Sequence, residues 1–127
     1  MTDRELLELA AKAYWGAEID DTCSVRWSEN DDAIVYMHGD NQDHNGRDVE
    51  LVWNPLESDH DAFRLAVKLR IDFYIGDDGG IATYAGYFDP AINNRQRFAI
   101  EKHGADDFAA TRRAIVRAAA EVGKAME

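Results

Sequence analysis

Cysteine is almost absent from this sequence, which contains only Cys23. A single thiol excludes an internal disulfide and also a cysteine-rich zinc site. Cys23 opens a run that alternates apolar and polar residues, and no basic residue adjoins it in the chain. A nucleophilic cysteine needs an activating group beside it, so we expect a buried and unreactive thiol.

Long apolar runs are also missing. No stretch approaches the ~18 apolar residues that a membrane-spanning helix needs. The opening MTDRELLELAAKAYW carries acidic residues early, which a secretory signal does not. We expect a cytosolic protein without membrane contacts. The length of 127 residues predicts one domain, residues 1–127, large enough for a core of its own.

Motifs of known catalytic chemistry are lacking as well. The sequence has no G-x-S-x-G, no H-E-x-x-H and no phosphate-binding P-loop. His60 stands between two aspartates at a predicted helix start, where a solvated cap residue is more usual than a general base. We therefore expect no enzyme activity, no cofactor and no metal ion.

Basic residues are scarce, with 14 Lys and Arg against 25 Asp and Glu, for a net charge of −11. The excess of acids lies in residues 1–62, which carry 16 acids and 4 bases, whereas residues 63–127 carry 9 acids and 10 bases. Such an acidic surface repels phosphate and attracts basic proteins. The simpler interpretation is that the charge only keeps the protein soluble.

Hydrophobic periodicity predicts three helices and five to six strands. The predicted helices cover about 3–15, after the capping box Thr2-Asp3-Arg4-Glu5, then 59–69 and 106–125. The predicted strands are 23–27, 33–37, 49–53, 71–75, 81–87 and 97–102. Short turns between strands predict an antiparallel sheet with helices packed on its faces, an α+β fold of the αβα-sandwich type.

Two details of side-chain placement follow from these patterns. The last helix would bury a stripe consisting of Phe108, Ile115, Ala119, Val122 and Met126. A turn centred on Asp78-Gly79 would pair Tyr84 with Phe73 on the core face of the sheet, with Tyr74 on the opposite face.

Two segments carry a family resemblance. One is Trp53-Asn54-Pro55-Leu56 followed, after an acidic gap, by the helix at 61–69; the other is the run 110–123. With the N-terminal helix they resemble a family of small phage and prophage proteins, the phage αβα-sandwich domain. This sequence has SDHD where that family has a glycine-containing turn. The resemblance covers most of the chain and implies a phage-encoded accessory protein in a bacterial host, without catalytic residues.

The stretch HGDNQDHNGRD, residues 38–48, has the densest set of metal-binding residue types. Read from Asn41, it matches the first half of a calcium-binding EF-hand loop. The match fails at the twelfth position, where Val52 replaces the bidentate glutamate. A hairpin loop that turns at Asn45-Gly46 is the favoured interpretation.

Two other interpretations of this stretch remain open. It can form part of a charged face for a partner. His38 and His44, with Asp40 or Asp43, are also possible ligands of a transition metal. We rank the partner face second and the metal site third.

The first functional hypothesis is a non-enzymatic phage protein that binds a host protein through an acidic surface. Carboxylates would take the places of phosphates on a basic, nucleic-acid-handling partner, and the concrete version is inhibition of a host defence protein. It involves no direct binding to nucleic acid. The predicted partner-binding residues are Asp31, Asp32, Asp40, Asp43, Asp48 and Glu50.

The second hypothesis is a nucleotide or small-molecule binding domain. Trp53, Tyr84 and Tyr87 would stack on a ring, and Arg112 would meet an acidic group. The alternatives are core packing of the aromatic residues and ion pairs of Arg112, Arg113 and Arg117, on the last predicted helix, with nearby acids. A structural or assembly role in the virion is the third hypothesis, and the run Ala118–Ala120 would allow close packing in a homodimer.

Overall fold

The computed structural model describes residues 1–16, 25–42, 48–77, 80–89 and 93–126. These residues form three helices and six strands, and the predicted α+β class is confirmed. The elements in chain order are α1 (Asp3–Trp15), β1 (Val25–Ser28), β2 (Ala33–Gln42), β3 (Asp48–Trp53), α2 (Asp59–Leu69), β4 (Asp72–Asp77), β5 (Ile81–Asp89), β6 (Asn94–Lys102) and α3 (Asp107–Lys124).

The six strands form two three-stranded antiparallel sheets, which we call the first sheet (β1-β2-β3) and the second sheet (β4-β5-β6). The sequence did not predict this division. Within each sheet, strands that follow one another in the chain pair antiparallel, because short connections favour antiparallel pairs.

The predicted hairpin around residues 38–48 is confirmed, since β2 pairs antiparallel with β3 and Gln42 stands opposite Asp48. Residues 38–42, predicted as loop, belong to β2. Likewise, β6 begins at Asn94, three residues before the predicted start. The turns predicted at Asn45-Gly46 and Asp78-Gly79, like Cys23, lie outside the described residues.

The predicted register of β4 and β5 was wrong by one residue. Tyr84 pairs with Tyr74, and Phe73 pairs with Ala85. Because Asp77 pairs with Ile81, three residues connect the strands where the prediction had two. A shift of one residue exchanges the faces of a strand, so Tyr84 lies on the face with Tyr74 and away from the core.

Each helix begins at a side chain that accepts hydrogen bonds from the first turn. Thr2 Oγ1 accepts from Glu5 N at 3.1 Å, and Ser58 Oγ accepts from Asp61 N at 3.2 Å. The Asp106 carboxylate accepts from the amides of residues 108 and 109. Gly16, in the left-handed region at φ 72°, ends α1. Such caps satisfy backbone groups that a helix end leaves unpaired.

The core is centred on α3, which packs against α1, α2, β5 and β6. Ile115 and Ala119 of the predicted stripe are buried, but Phe108 and Met126 are 69% and 41% exposed. Those two residues lie at the ends of the helix region, beyond the part that neighbouring elements cover. Within the described residues, no helix combines the length and the hydropathy needed to cross a bilayer.

Candidate ligand site

A cavity of about 520 Å³ lies between the first sheet, the end of α1 and the first half of α2. Binding sites for small molecules typically have volumes of about 300–1,000 Å³, with mostly apolar walls and a few polar groups. The volume of this cavity falls in that range, and its wall combines aromatic and polar side chains. Its apolar lining includes Tyr14, Trp15, Tyr36 and Trp53, and its polar lining consists of His60, Asp61 and Arg64.

The four aromatic rings form one continuous wall. The centroid of Trp15 lies 4.8 Å from Tyr14, 5.1 Å from Trp53 and 5.4 Å from Tyr36. Trp53 is only 3% exposed, whereas the other three rings are half-buried. The rings meet edge-on or at tilted angles and pack on one another, so these four do not form an open cage around a cation.

Local structure explains how these rings meet. Tyr14 and Trp15 occupy the last turn of α1, which ends at Gly16. In the first sheet, Trp53 pairs with Ile34 and Leu51 pairs with Tyr36. Side chains of a strand alternate between faces, so Trp53 and Tyr36 share the face that meets α1.

The polar side of the cavity comes from the start of α2. Asp61 Oδ2 accepts a hydrogen bond from Asn54 N at 2.9 Å, which ties the end of β3 to the helix. Arg64 and Lys68 follow at spacings of three and four residues, on the same side of α2. Lys68 Nζ lies 5.8 Å from the centroid of the Tyr14 ring.

The Tyr36 hydroxyl lies within reach of the charges on α2. Burial raises the pKa of Tyr36 above its ordinary value, and the negative charge of Asp61 raises it further, while Arg64 acts in the opposite direction. Tyr36 therefore stays neutral at physiological pH. The cavity holds a phenol that can donate one hydrogen bond, beside one carboxylate and one guanidinium.

The residues predicted for small-molecule binding do not share this cavity. Trp53 lines it, but Tyr84 and Tyr87 belong to β5 of the second sheet. Tyr84 stacks on Tyr74 with ring centroids 4.9 Å apart, and Tyr87 packs against the core. Arg112 donates to Leu56 O at 2.8 Å and pairs with Asp59 at 2.7 Å. Its guanidinium is thus already bound within the protein.

Sequence reasoning missed Tyr14, Trp15, Tyr36 and Arg64 as site residues. The sequence predicted a helix at Tyr14 and a strand at Tyr36, without a binding role for either residue. An available signal was the aromatic pair Tyr14-Trp15 directly before the glycine that ends the helix. Whether those rings meet Trp53, however, depends on how α1 packs on the first sheet.

The predicted acidic surface is divided between two ends of the first sheet. Asp31 and Asp32 are exposed in the β1–β2 turn, whereas Asp40 lies far along β2. At about 3.3 Å per residue, Asp32 and Asp40 are roughly 26 Å apart. Asp48 pairs with the far end of β2, and Asp43 lies outside the described residues.

Two of the predicted acids also have partners within the protein. Asp31 Oδ2 accepts from Ser28 Oγ at 2.8 Å, and Glu50 pairs with Arg26 at 2.7 Å. The arginines of α3 form the ion pairs that the sequence offered as the alternative to ligand binding. Arg112 pairs with Asp59, Arg113 with Asp3 and Arg117 with Glu101.

A second cluster has the arrangement of a catalytic triad, with a hydroxyl, an imidazole and a carboxylate in contact. His103 Nε2 lies 2.6 Å from Thr83 Oγ1, and His103 Nδ1 lies 3.1 Å from Asp107 Oδ1. The Thr83 hydroxyl is also 2.8 Å from that of Thr111. Thr83 has no exposed surface, so no substrate can reach its oxygen. The cluster joins β5 and β6 to the start of α3.

Comparisons with known proteins leave the identity open: no family model, no curated protein and no solved structure matches this chain. The resemblance to the phage αβα-sandwich domain therefore stays a prediction. In the part of the chain that the structure describes, no group of three or more His, Cys, Asp or Glu side chains is arranged to hold a metal ion.

Proposed function

We propose that this protein binds a small planar aromatic molecule in the cavity between the first sheet, α1 and α2. The observation that supports this most directly is the wall formed by Tyr14, Trp15, Tyr36 and Trp53 beside about 520 Å³ of open volume. Offset or edge-to-face contacts between rings contribute about 0.5–1.5 kcal/mol each beyond area burial. A flat ring can use several such contacts at once.

The rings of the wall are held in place by contacts with one another. Trp53 is buried against its neighbours, and its ring contacts both Tyr14 and Trp15. A preformed surface spares the cost of ordering side chains on binding. The Tyr36 hydroxyl and the charged groups at the start of α2 then orient the ligand within the cavity.

The test is an NMR titration that follows the three indole N–H signals. Trp15 and Trp53 line the cavity, while Trp27 is buried elsewhere under the guanidinium of Arg4, 5.1 Å from its ring centroid. Planar probes such as indole and adenosine, added to millimolar concentration, are expected to shift the signals of Trp15 and Trp53 and leave Trp27 unchanged.

A pair of variants distinguishes this cavity from other aromatic surfaces. Trp15→Ala removes part of the wall and is expected to weaken binding at least tenfold. Phe63→Ala, an aromatic on α2 that is 67% exposed and does not line the cavity, is the matched control. If no probe shifts the Trp15 or Trp53 signal, or if both variants bind like the parent protein, the proposal is wrong.

A second candidate function is the one predicted from charge: binding of a basic host protein in the bacterial cytoplasm. One observation favours it, the exposed β1–β2 turn that carries Glu29, Asp31 and Asp32. Electrostatic complementarity would speed association and make it sensitive to salt. A pull-down from bacterial lysate at ~50 and ~300 mM salt tests it, with Asp31→Asn/Asp32→Asn as the variant. Retention that does not depend on these two charges would contradict it.

A further inference from the structure

The cavity contains an arginine, Arg64, that forms no ion pair with a carboxylate among the residues that the structure describes. Resting on the proposed function, we infer that the bound molecule carries an acidic group, a carboxylate or a phosphate, and that Arg64 binds that group. The ligand class is thus an anionic planar ring compound.

The ion pairs of five other arginines set Arg64 apart. Arg4, Arg26, Arg112, Arg113 and Arg117 each contact an Asp or Glu side chain. Within the described residues, Arg64 and Arg70 form no such pair, although acids outnumber bases 25 to 14 in the whole chain. Of these two, only Arg64 lines the cavity.

The position of Arg64 directs its charge toward the ligand. It lies on α2 one turn after Asp61, and its charge acts on the Tyr36 phenol in the aromatic wall. An acidic group held by Arg64 would therefore stand next to a ring stacked on Trp15 or Tyr36. A guanidinium binds carboxylate or phosphate oxygens with two parallel hydrogen bonds, which fixes the orientation of the ligand.

The charged residues that line the cavity are Arg64 and Asp61. The Asp61 carboxylate already accepts a hydrogen bond from the backbone of Asn54, whereas Arg64 forms no ion pair within the described residues. Lys68 lies on the same side of α2 but does not line the cavity. A cationic ligand would approach the like charge of Arg64, whereas an anionic one meets it with favourable sign.

The experiment compares ring compounds that differ only in the acidic group. Indole is paired with indole-3-carboxylate, and adenosine with adenosine monophosphate, so the two pairs separate a carboxylate from a phosphate source. Dissociation constants are measured by NMR titration for the parent protein, Arg64→Gln and Arg70→Gln. Arg70 caps the same helix and does not line the cavity, so it is the matched control.

We expect the acidic member of at least one pair to bind the parent protein about tenfold more tightly than the neutral member. Arg64→Gln should abolish this difference. Arg70→Gln should preserve it. The preference should also shrink between ~50 and ~300 mM salt, because exposed charges are screened.

The outcomes separate this inference from the proposed function. Equal binding of neutral and acidic compounds to the parent protein overturns the inference and leaves the cavity as a ring-binding site. A preference that persists in Arg64→Gln also overturns it. If no compound of either pair binds, the proposed function itself fails.

Discussion

Replacing Gly123 with alanine is expected to destabilise the protein, although alanine is the better helix former. Gly123 lies near the end of α3, where α1 crosses at close range. A Cβ atom at this position would stand 2.1 Å from Leu9 O and 2.9 Å from Leu9 C. Ordinary contacts of a Cβ begin at about 3.4 Å, so the two helices would have to separate by about 1 Å.

Two opposing terms decide the magnitude. Alanine in a helix interior is favoured over glycine by about 1 kcal/mol. Overpacking of a well-packed interface typically costs about 1–3 kcal/mol and more when backbone must move. Here the obstructing atoms are backbone, and the neighbouring Ala10, Ala11 and Ala118 are fully buried, without rotamers that could yield. We expect a net loss of about 2 kcal/mol in the free energy of unfolding.

The assay is chemical and thermal unfolding followed by circular dichroism. For a chain of this length, about 2 kcal/mol corresponds to a fall of roughly 6–10 °C in Tm. The control is Gly104→Ala, where an added Cβ meets no atom within 4 Å, and its Tm should change by about 2 °C or less. A Gly123→Ala protein as stable as the parent, or more stable, would refute the close approach of α1 and α3.

Two further predictions concern polar groups. Thr83→Val keeps the side-chain volume but leaves His103 Nε2 without its partner at 2.6 Å. We expect the free energy of unfolding, measured in urea, to fall by about 1–3 kcal/mol. An unchanged midpoint would contradict a stabilising role for the Thr83 hydroxyl. For Tyr36, the folded state keeps its proton at a pH where the unfolded state has lost it, because burial and Asp61 raise the folded pKa. The stability that this contributes is present below about pH 10 and lost as the pH rises through the folded pKa. The free energy of unfolding should therefore fall more steeply above about pH 10 for the parent than for Tyr36→Phe, and parallel curves would count against the raised pKa.

Much of the secondary structure was predictable from local signals. The capping residues Thr2 and Ser58 and the glycine after Trp15 mark helix ends through hydrogen bonds to nearby backbone. Alternation of side chains located the strands, because a half-buried strand repeats every two residues. The register of β4 and β5 was predicted wrongly because the connection has one residue more than expected. A shift of one residue moves each side chain of β5 to the opposite face of the sheet.

The candidate site was predicted only in part, since its residues come from three distant segments. Trp53 was identified from its residue type, but its partners Trp15 and Tyr36 are brought to it by α1 packing on the first sheet. Arg112 looked available in the sequence, yet Leu56 and Asp59 bind its guanidinium. A ligand-binding role for Arg64 could be inferred only from the structure, which shows five other arginines in ion pairs.

The sequence by itself determined the fold class, the approximate positions of the helices and strands and the acidic balance of the chain, because these depend on residue type and on spacing over a few residues. Only the tertiary structure decided that the strands form two sheets, that Asp31 and Asp32 lie at the opposite end of the first sheet from Asp48, and that four aromatic rings meet beside Arg64. Such features depend on contacts between residues far apart in the chain, whose distances local periodicity does not constrain.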